Sequence, residues 1–245
     1  MNKIKIYAFF ILYLLSRPHL LLLIIKKIYL PVYIQYEWIR NYNIKTFIDV
    51  GANQGKVSRV IQYFFPSATI YAFEPMRKEF ENLKKIFISP QIIINNLALS
   101  NSVGKTEFYI NNHAPSSSIL KISKNGKRII PALSKYHKIT VNQTTMDNYF
   151  KNRKLKGFVF LKIDVQGTEH LVLNGSINSL KKVDLIHIET SFKDIYENQS
   201  LFPEIYDFLT NHGFRYLGSV KDSDFYPLFQ LSIQENSIFI NKRHS

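Results

Sequence analysis

Thr46-Phe-Ile-Asp-Val-Gly-Ala-Asn-Gln-Gly55 is an apolar strand that runs into a glycine-rich turn, and Ile70-Tyr-Ala-Phe-Glu-Pro75 is a second strand that ends in an acid. Gly51 and Gly55 let backbone come close to a ligand, and an acid closing the following strand can accept hydrogen bonds from ribose hydroxyls. Together the two stretches read as a nucleoside-cofactor site. Neither stretch alone is specific.

Strand and helix signals alternate from this point to the C-terminus, the pattern of a mostly parallel sheet with helices on both faces. After the first strand, Thr46 to Val50, the sequence predicts a helix over Lys56 to Phe65 closed by Pro66, a strand over Thr69 to Phe73 and a helix over Arg77 to Phe87. A third strand spans Gln91 to Leu97 and a short one Thr106 to Ile110. Then comes a basic, irregular stretch to about Lys138, which opens with His113-Ala-Pro-Ser-Ser-Ser118. It is the longest predicted loop and the element expected to face substrate. Strands follow over Phe158 to Ile163, Asp184 to Ile188, Phe214 to Gly218 and Asn236 to Ile240, with helices over Gly167 to Leu180 and Pro203 to Asn211. The chain thus divides into an N-terminal extension, residues 1–45, and one catalytic domain, residues 46–245.

In open α/β sheets the ligand lies beyond the carboxyl ends of the strands. Asp49, Glu74, Asp164 and Glu189 all fall there, although each could instead cap the helix that follows. The glycines of the first turn lie four apart, without the G-x-G-x-x-G spacing of a dinucleotide site and without the Gly-Lys-Ser/Thr ending of a P-loop. What remains is a nucleoside cofactor whose other end carries an amino acid, and S-adenosylmethionine fits that description.

These residues resemble the FkbM-type S-adenosylmethionine-dependent methyltransferases from Thr46 to Lys242. The resemblance rests on Asp49-Val-Gly-Ala-Asn-Gln-Gly55, Phe73-Glu-Pro75, Asn96-Leu-Ala-Leu-Ser100, Ser116-Ser-Ser-Ile-Leu120, Thr145-Met-Asp147, Leu161-Lys-Ile-Asp-Val-Gln-Gly-Thr-Glu169 with Val172-Leu-Asn-Gly175, and Glu189. It implies a Rossmann-like class I methyltransferase fold, with a seven-stranded sheet whose last strand is antiparallel. It also implies O-methylation of a hydroxyl on a sugar, polysaccharide precursor, glycolipid or natural product. By the same resemblance Asp49, Gly51, Asn53, Gly55 and Glu74, with the adjoining Pro75, bind the cofactor. Leu97 and Ala98 frame the adenine, and Asp164 lies near the methionine end. Two positions depart from the family pattern. Gln166 stands where many relatives have Glu, so a carboxylate is not available there for base or metal chemistry, and Asn236 stands where the last strand often opens with Asp.

Methyl transfer requires the acceptor oxygen about 3 Å from the methyl carbon and a route for its proton. A carboxylate or histidine could act as general base, or a divalent cation could acidify the hydroxyl. The catalytic candidates are Asp164, Glu169 and Glu189, together with His187, which shares a strand face with Glu189. Each has a plainer reading: Glu169 as an acid in the first turn of its helix, His187 as a hydrogen-bonded core residue. His113 and His170 are weaker candidates, and Ser116, Ser117 and Ser118 line the pocket or form a turn.

Composition narrows the function classes. The 245 residues include no cysteine, which removes thiolate metal sites and the cysteine-dependent 5-methylpyrimidine methyltransferases. The net charge of +14 invites an anionic partner, and no acid occurs between Glu107 and Asp147, where Lys121, Lys124, Lys127, Arg128, Lys135 and Lys138 fall. A lysine-rich, Ile- and Asn-rich bias can account for the charge without any partner. A nucleic-acid methyltransferase is the alternative that the charge suggests. Against it, the chain lacks the Asp/Asn-Pro-Pro-Tyr/Phe motif of amino-group methylation and any appended RNA-binding module. A non-catalytic binding protein on the same fold is countered by the intact Asp49, Glu74 and Asp164. In residues 1–40 the apolar runs Ile4–Leu15 and Leu20–Ile25 are interrupted by charge and proline, so no uncharged stretch of about 20 residues exists to span a bilayer. No small-residue cleavage site follows. Residues 1–30 are therefore either a helical lid on the catalytic domain or a basic apolar helix on an anionic membrane. The corresponding expectation is a cytoplasmic protein, peripheral at the inner membrane face in the second case.

Overall fold

A strand buried on both faces carries apolar residues at odd and even positions alike, and the strands flanking the glycine turn do so. The computed structural model describes residues 16, 21–111, 117–220 and 233–244. Its strands are β1 (Ile44–Val50), β2 (Thr69–Phe73), β3 (Ile92–Asn95), β4 (Ala98–Leu99), β5 (Gly104–Asn111), β6 (Tyr136–Thr144), β7 (Phe158–Ile163), β8 (Leu185–Ser191), β9 (Phe214–Val220) and β10 (Gln234–Asn241). Seven of them form one sheet in the order β3-β2-β1-β7-β8-β10-β9. The pairs β1–β2, β2–β3, β1–β7 and β7–β8 are parallel, and β10 runs antiparallel to both β8 and β9. This is the class I methyltransferase sheet with its last strand reversed, as the family resemblance implied. Order reverses between β1 and β7, which sets a crevice above their carboxyl ends.

One face of the sheet presents Phe47, Phe160, Leu185 and Ile240. Against it pack α1 (Leu21–Ile25), α2 (Leu30–Tyr36) and the 3-10 turn Glu37–Asn41, followed in the chain by α3 (Lys56–Phe64) and α4 (Arg77–Ile86). Leu23, Ile28, Tyr33, Tyr36 and Ile39 of the N-terminal segment are all buried there. Full burial of such a side chain is worth about 1.5–3 kcal/mol, so these five residues tie the segment 21–41 into the core of this face. Pro31 in the first turn of α2 presets its backbone for the helix.

The stretch after β5 differs most from the sequence reading. Instead of an irregular loop to about Lys138, the chain forms α5 (Lys124–Ile129) and then β6, which pairs antiparallel with β5 from Gly104↔Gln143 to Asn111↔Tyr136. The strands β4, β6 and β5 make a second, three-stranded sheet. Its strands are half-buried: Phe108 and Val141 face a small core with Met76 and Ala98 while Lys138, Thr140 and Asn142 alternate outward on β6, so a run of polar residues masked the period-two signal.

The other face of the main sheet, Ile48, Val50, Leu161, Ile163, Ile186 and Phe239, is covered by α6 (Met146–Phe150), α7 (Glu169–Asn174), α8 (Ile177–Leu180) and α9 (Phe202–Asn211). The single helix expected over Gly167 to Leu180 is broken into α7 and α8 around Gly175. A Cβ there would lie 2.0 Å from the Ser100 carbonyl oxygen, so the close approach to β4 requires glycine. The third strand ends at Asn95 instead of Leu97, because the Asn96 side chain turns to donate to the carbonyls of Glu74 (3.0 Å) and Pro75 (2.8 Å).

Candidate active site

The face that buries Phe47, Phe160 and Leu185 becomes polar one period-two step further along each strand. Register places Asp49 beside Lys162 and Lys162 beside His187. A further step brings Asp164 just after β7, Glu189 on β8 and its antiparallel partner Asn236, with Glu74 just after β2 on the other side. The core therefore passes directly into an ionic row and then into a set of acids at the crevice.

The row is neutralised internally. Lys162, buried, lies 3.3 Å from Asp49 and 3.4 Å from Asp164 and donates to the Gly51 carbonyl at 3.0 Å. Ser58 at the start of α3 donates to the second Asp49 oxygen at 2.6 Å. Burial alone would push the Lys162 ammonium down, but Asp164 and Asp49 outweigh it and hold the group above the ordinary lysine value. Burial pushes the Asp164 carboxyl up, and the Lys162 charge with the Gln166 hydrogen bond pulls it below the usual carboxylate range.

Above this row the turn crosses the strand ends. Gly51 has φ +78°, and a Cβ on it would sit 2.0 Å from the Asp164 carbonyl oxygen, so no other residue fits. The amides of Gly51 and Ala52 both donate to the Phe73 carbonyl, tying the turn to β2. The Glu74 carboxylate accepts from the amides of Asn53 and Met76, each at 2.8 Å, one on each oxygen. Burial outweighs these bonds and pushes Glu74 up to about 7. Each oxygen retains a lone pair, and the residue lines the cavity. That arrangement suits a ligand diol, and with the bare Gly51 backbone beside it the residues fit a ribosyl cofactor.

The second loop, after β7, turns through Gln166 (φ +59°) and Gly167 (φ +93°). Glu169 holds it by accepting from the amides of Val165 (3.1 Å) and Gly167 (3.3 Å), and burial pushes this carboxyl up to about 7. The Gln166 amide nitrogen donates to Asp164 and to Glu189, both at 3.0 Å, while its oxygen accepts from the Tyr196 hydroxyl at 3.2 Å. This is the amide orientation that satisfies all three partners. Ser118 donates to the Gln166 carbonyl at 2.6 Å, locking the second sheet to this loop.

His187 lies under the loop. Its Nδ1 is 3.2 Å from the Tyr36 hydroxyl and its ring 4.9 Å from the Tyr36 ring, whereas Nε2 has no hydrogen-bond partner among the described residues. Burial, then the Lys162 charge, push the imidazole down to about 3, so it is neutral at physiological pH.

All of this borders a cavity of about 510 Å³. Gly51, Asn53, Glu74, Pro75, Leu97 and Ala98 line one part of it, and Asp164, His187 and Glu189 the other, with Gln166 and Asn236. Asp49, Gly55 and Glu169 stand behind the wall: Asp49 in the ionic row, Gly55 at the start of α3 with φ +71°, Glu169 within its loop. The second sheet adds Phe108 and the stretch after β5 adds Ser117 and Ile119; His113 and Ser116 lie outside the described residues. The basic residues from Lys121 to Lys138 are not on the wall. Sequence reasoning did not assign the wall residues Tyr29, Val32, Gln35 and Tyr36 of the N-terminal segment, nor Lys162. A lone lysine inside the apolar run Phe158–Ile163 was the available signal for Lys162, since a buried cation must be paired. Among the described residues no group of three or more His, Asp or Glu is arranged to hold a metal ion.

Sheet order, glycine turn and the acid closing β2 define an S-adenosylmethionine-dependent methyltransferase of class I. The chain belongs to the FkbM methyltransferase family, whose methyltransferase FkbM domain matches residues 49–216. It is similar to the 2-O-methyltransferase NoeI of Sinorhizobium fredii, at 25% identity over 172 residues, 66% of this chain and 70% of that one. Among solved structures it is similar to precorrin-6y C5,15-methyltransferase from Geobacter metallireducens (12% identity, 86% of this chain and 87% of that one, TM-score 0.45). It is also similar to magnesium protoporphyrin IX methyltransferase from Synechocystis with bound S-adenosylmethionine (10% identity, 86% and 76%, TM-score 0.46).

Proposed function

We propose that the protein transfers the methyl group to a hydroxyl of an uncharged, hydroxyl-rich acceptor such as a sugar unit. The observation that carries this reading is the composition of the acceptor side of the cavity: Tyr29, Gln35 and Asn236, with Gln166 at its floor. Amides both donate and accept, as hydroxyls do, and aromatic faces suit the C–H faces of a ring. Of the two cations on the wall, Lys162 at the floor is already matched by Asp49 and Asp164, and Lys56 at the rim is engaged by the Tyr29 ring at 4.6 Å. NoeI, named a 2-O-methyltransferase, is consistent with oxygen as the acceptor atom.

Bound S-adenosylmethionine supplies an electrophilic methyl on a sulfonium. The chain's own residues then have three tasks. Glu74 would hold the ribose hydroxyls, Gly51 and Asn53 would bring backbone to the amino-acid end, and Leu97 with Ala98 would flank the base. Asp164, bonded to Lys162 and Gln166, is held ionised and would lend negative charge to the methionine end of the site. Glu189 is the general base: Asp164 is held well below the usual carboxylate range, His187 is pushed down to about 3, and Glu169 is turned into its own loop. A divalent cation does not fit this donor set, because the Gln166 amide directs its hydrogens at the same two carboxylates that a cation would need.

The test is transfer of labelled methyl from S-adenosylmethionine to a panel of neutral and anionic saccharides. Glu189→Gln should lower kcat by about 10²–10⁴-fold, the usual worth of a general base, with unchanged cofactor affinity. Full turnover in that variant removes Glu189 as the base, and transfer confined to anionic acceptors removes the neutral-sugar reading.

A further inference from the structure

We infer that the face formed by the end of α1, the start of α3 and the end of α4 docks on an anionic lipid bilayer. Ile25 is 76% exposed and Ile88 92% exposed, with Leu22 at 53%. The two isoleucines are distant in sequence but Arg59 joins their neighbourhoods: its guanidinium donates to the Lys27 carbonyl at 3.2 Å and lies 5.7 Å from the centre of the Phe87 ring. Exposed aliphatics are therefore set among Lys26, Lys27, Lys56, Arg59 and Lys85, and that combination matches acyl chains beneath anionic headgroups.

Carboxylates are scarce on this face. From residue 21 to residue 73 the acids are Glu37 and the buried, paired Asp49. On α4, Glu81 is taken by Arg77 at 2.5 Å and lies 3.9 Å from Lys84, and Glu79 accepts from Asn82. The location has a functional consequence. Tyr29, itself 48% exposed and capped by Lys56 at 4.6 Å, lies on the cavity wall, so the docking face borders the catalytic cavity. The segment leading into α1, with Ile4–Leu15 between basic residues, continues the same chemistry in sequence. An acceptor carried by the membrane would then reach the cavity without crossing bulk water.

The experiment is flotation of the full chain with vesicles of phosphatidylcholine containing about one third phosphatidylglycerol, against phosphatidylcholine alone. The wild type should float with the anionic vesicles and not with the neutral ones. Ile25→Asp combined with Ile88→Asp should lower the floated fraction by about tenfold, since each change sets a charge against the acyl boundary. Both residues are exposed, so cofactor affinity should be unchanged, which reports an intact fold. Lys27→Glu combined with Lys85→Glu, a charge reversal without apolar loss, should lower it by a similar factor at low salt. The inference is overturned if both double variants float like the wild type. It is overturned equally if the wild type floats with neutral vesicles as well, or if it binds RNA but floats with neither vesicle.

Discussion

Replacing Lys162 by Met tests the electrostatic design of the site more directly than any change in the cavity. Met fills a similar volume without charge, so packing is largely retained while Asp49, itself fully buried, keeps only Ser58. At an effective dielectric of about 20, one contact at such separations is worth about 5 kcal/mol of attraction, set against a desolvation cost of several kcal/mol per ion. Removing one partner of a buried pair typically costs about 3–5 kcal/mol, because the remaining charge is stranded. For a domain of this size that lowers Tm by about 6–20 °C. Thermal unfolding followed by circular dichroism measures it. Lys162 also donates to the Gly51 carbonyl, so the cofactor affinity of the folded variant should fall as the turn loosens. Adding Asp49→Asn removes the stranded charge and should restore at least half of the lost stability. A single variant that loses less than about 1 kcal/mol, or a double variant no better than the single one, refutes the account.

Glu74 leads to a pH prediction. Burial raises its carboxyl to about 7 in the ligand-free protein, so folding favours its protonated form, and the stability it contributes declines as pH rises from its unfolded value of 4.5 towards 7. Ribose hydroxyls donating to both oxygens favour the carboxylate instead, so S-adenosylmethionine affinity should rise by up to about tenfold between pH 6 and pH 8, with proton release on binding. Calorimetry in buffers of different ionisation enthalpy measures both, and a pH-independent affinity would remove Glu74 as the diol acceptor. Gln166→Glu should replace two hydrogen bonds by carboxylate repulsion against Asp164 and Glu189 and lower Tm. Millimolar magnesium or calcium should reverse that loss in the variant, while a chelator leaves wild-type turnover unchanged. A variant as stable as wild type and indifferent to cations would contradict the bridging role of the amide.

Local chemistry made much of the site legible in the sequence. A strand that ends in Asp49 and turns at Gly51 can do so only because glycine tolerates φ +78° against the Asp164 backbone, and that requirement is visible wherever the residue type is. The same holds for Glu74 at the end of β2. Strands β7, β8 and β10 announce themselves by apolar runs, which is why the main sheet was readable. Tyr36 against His187, and Lys162 against Asp49, bridge 151 and 113 positions, and no periodicity relates residues so far apart. Strand β6 was hidden because its outward Lys138, Thr140 and Asn142 outweigh the alternating Ile139 and Val141 in any local average.

The chain by itself determined the strands of the main sheet and the glycine turn, because these follow from residue-by-residue backbone and burial preferences, while the reversed last strand was legible only through the family resemblance. Tertiary structure decided which of the acids face the cavity. Asp49 and Glu169 are drawn into bonds with Lys162, Ser58 and their own loop, while Asp164 and Glu189 are left on the wall, joined by Gln166. It also decided that an N-terminal segment outside the family match supplies part of the cavity wall, because that segment packs across the sheet face, where Tyr36 meets His187. Burial and pairing are properties of the assembled core, and a carboxylate's role depends on them as much as on its place in the chain.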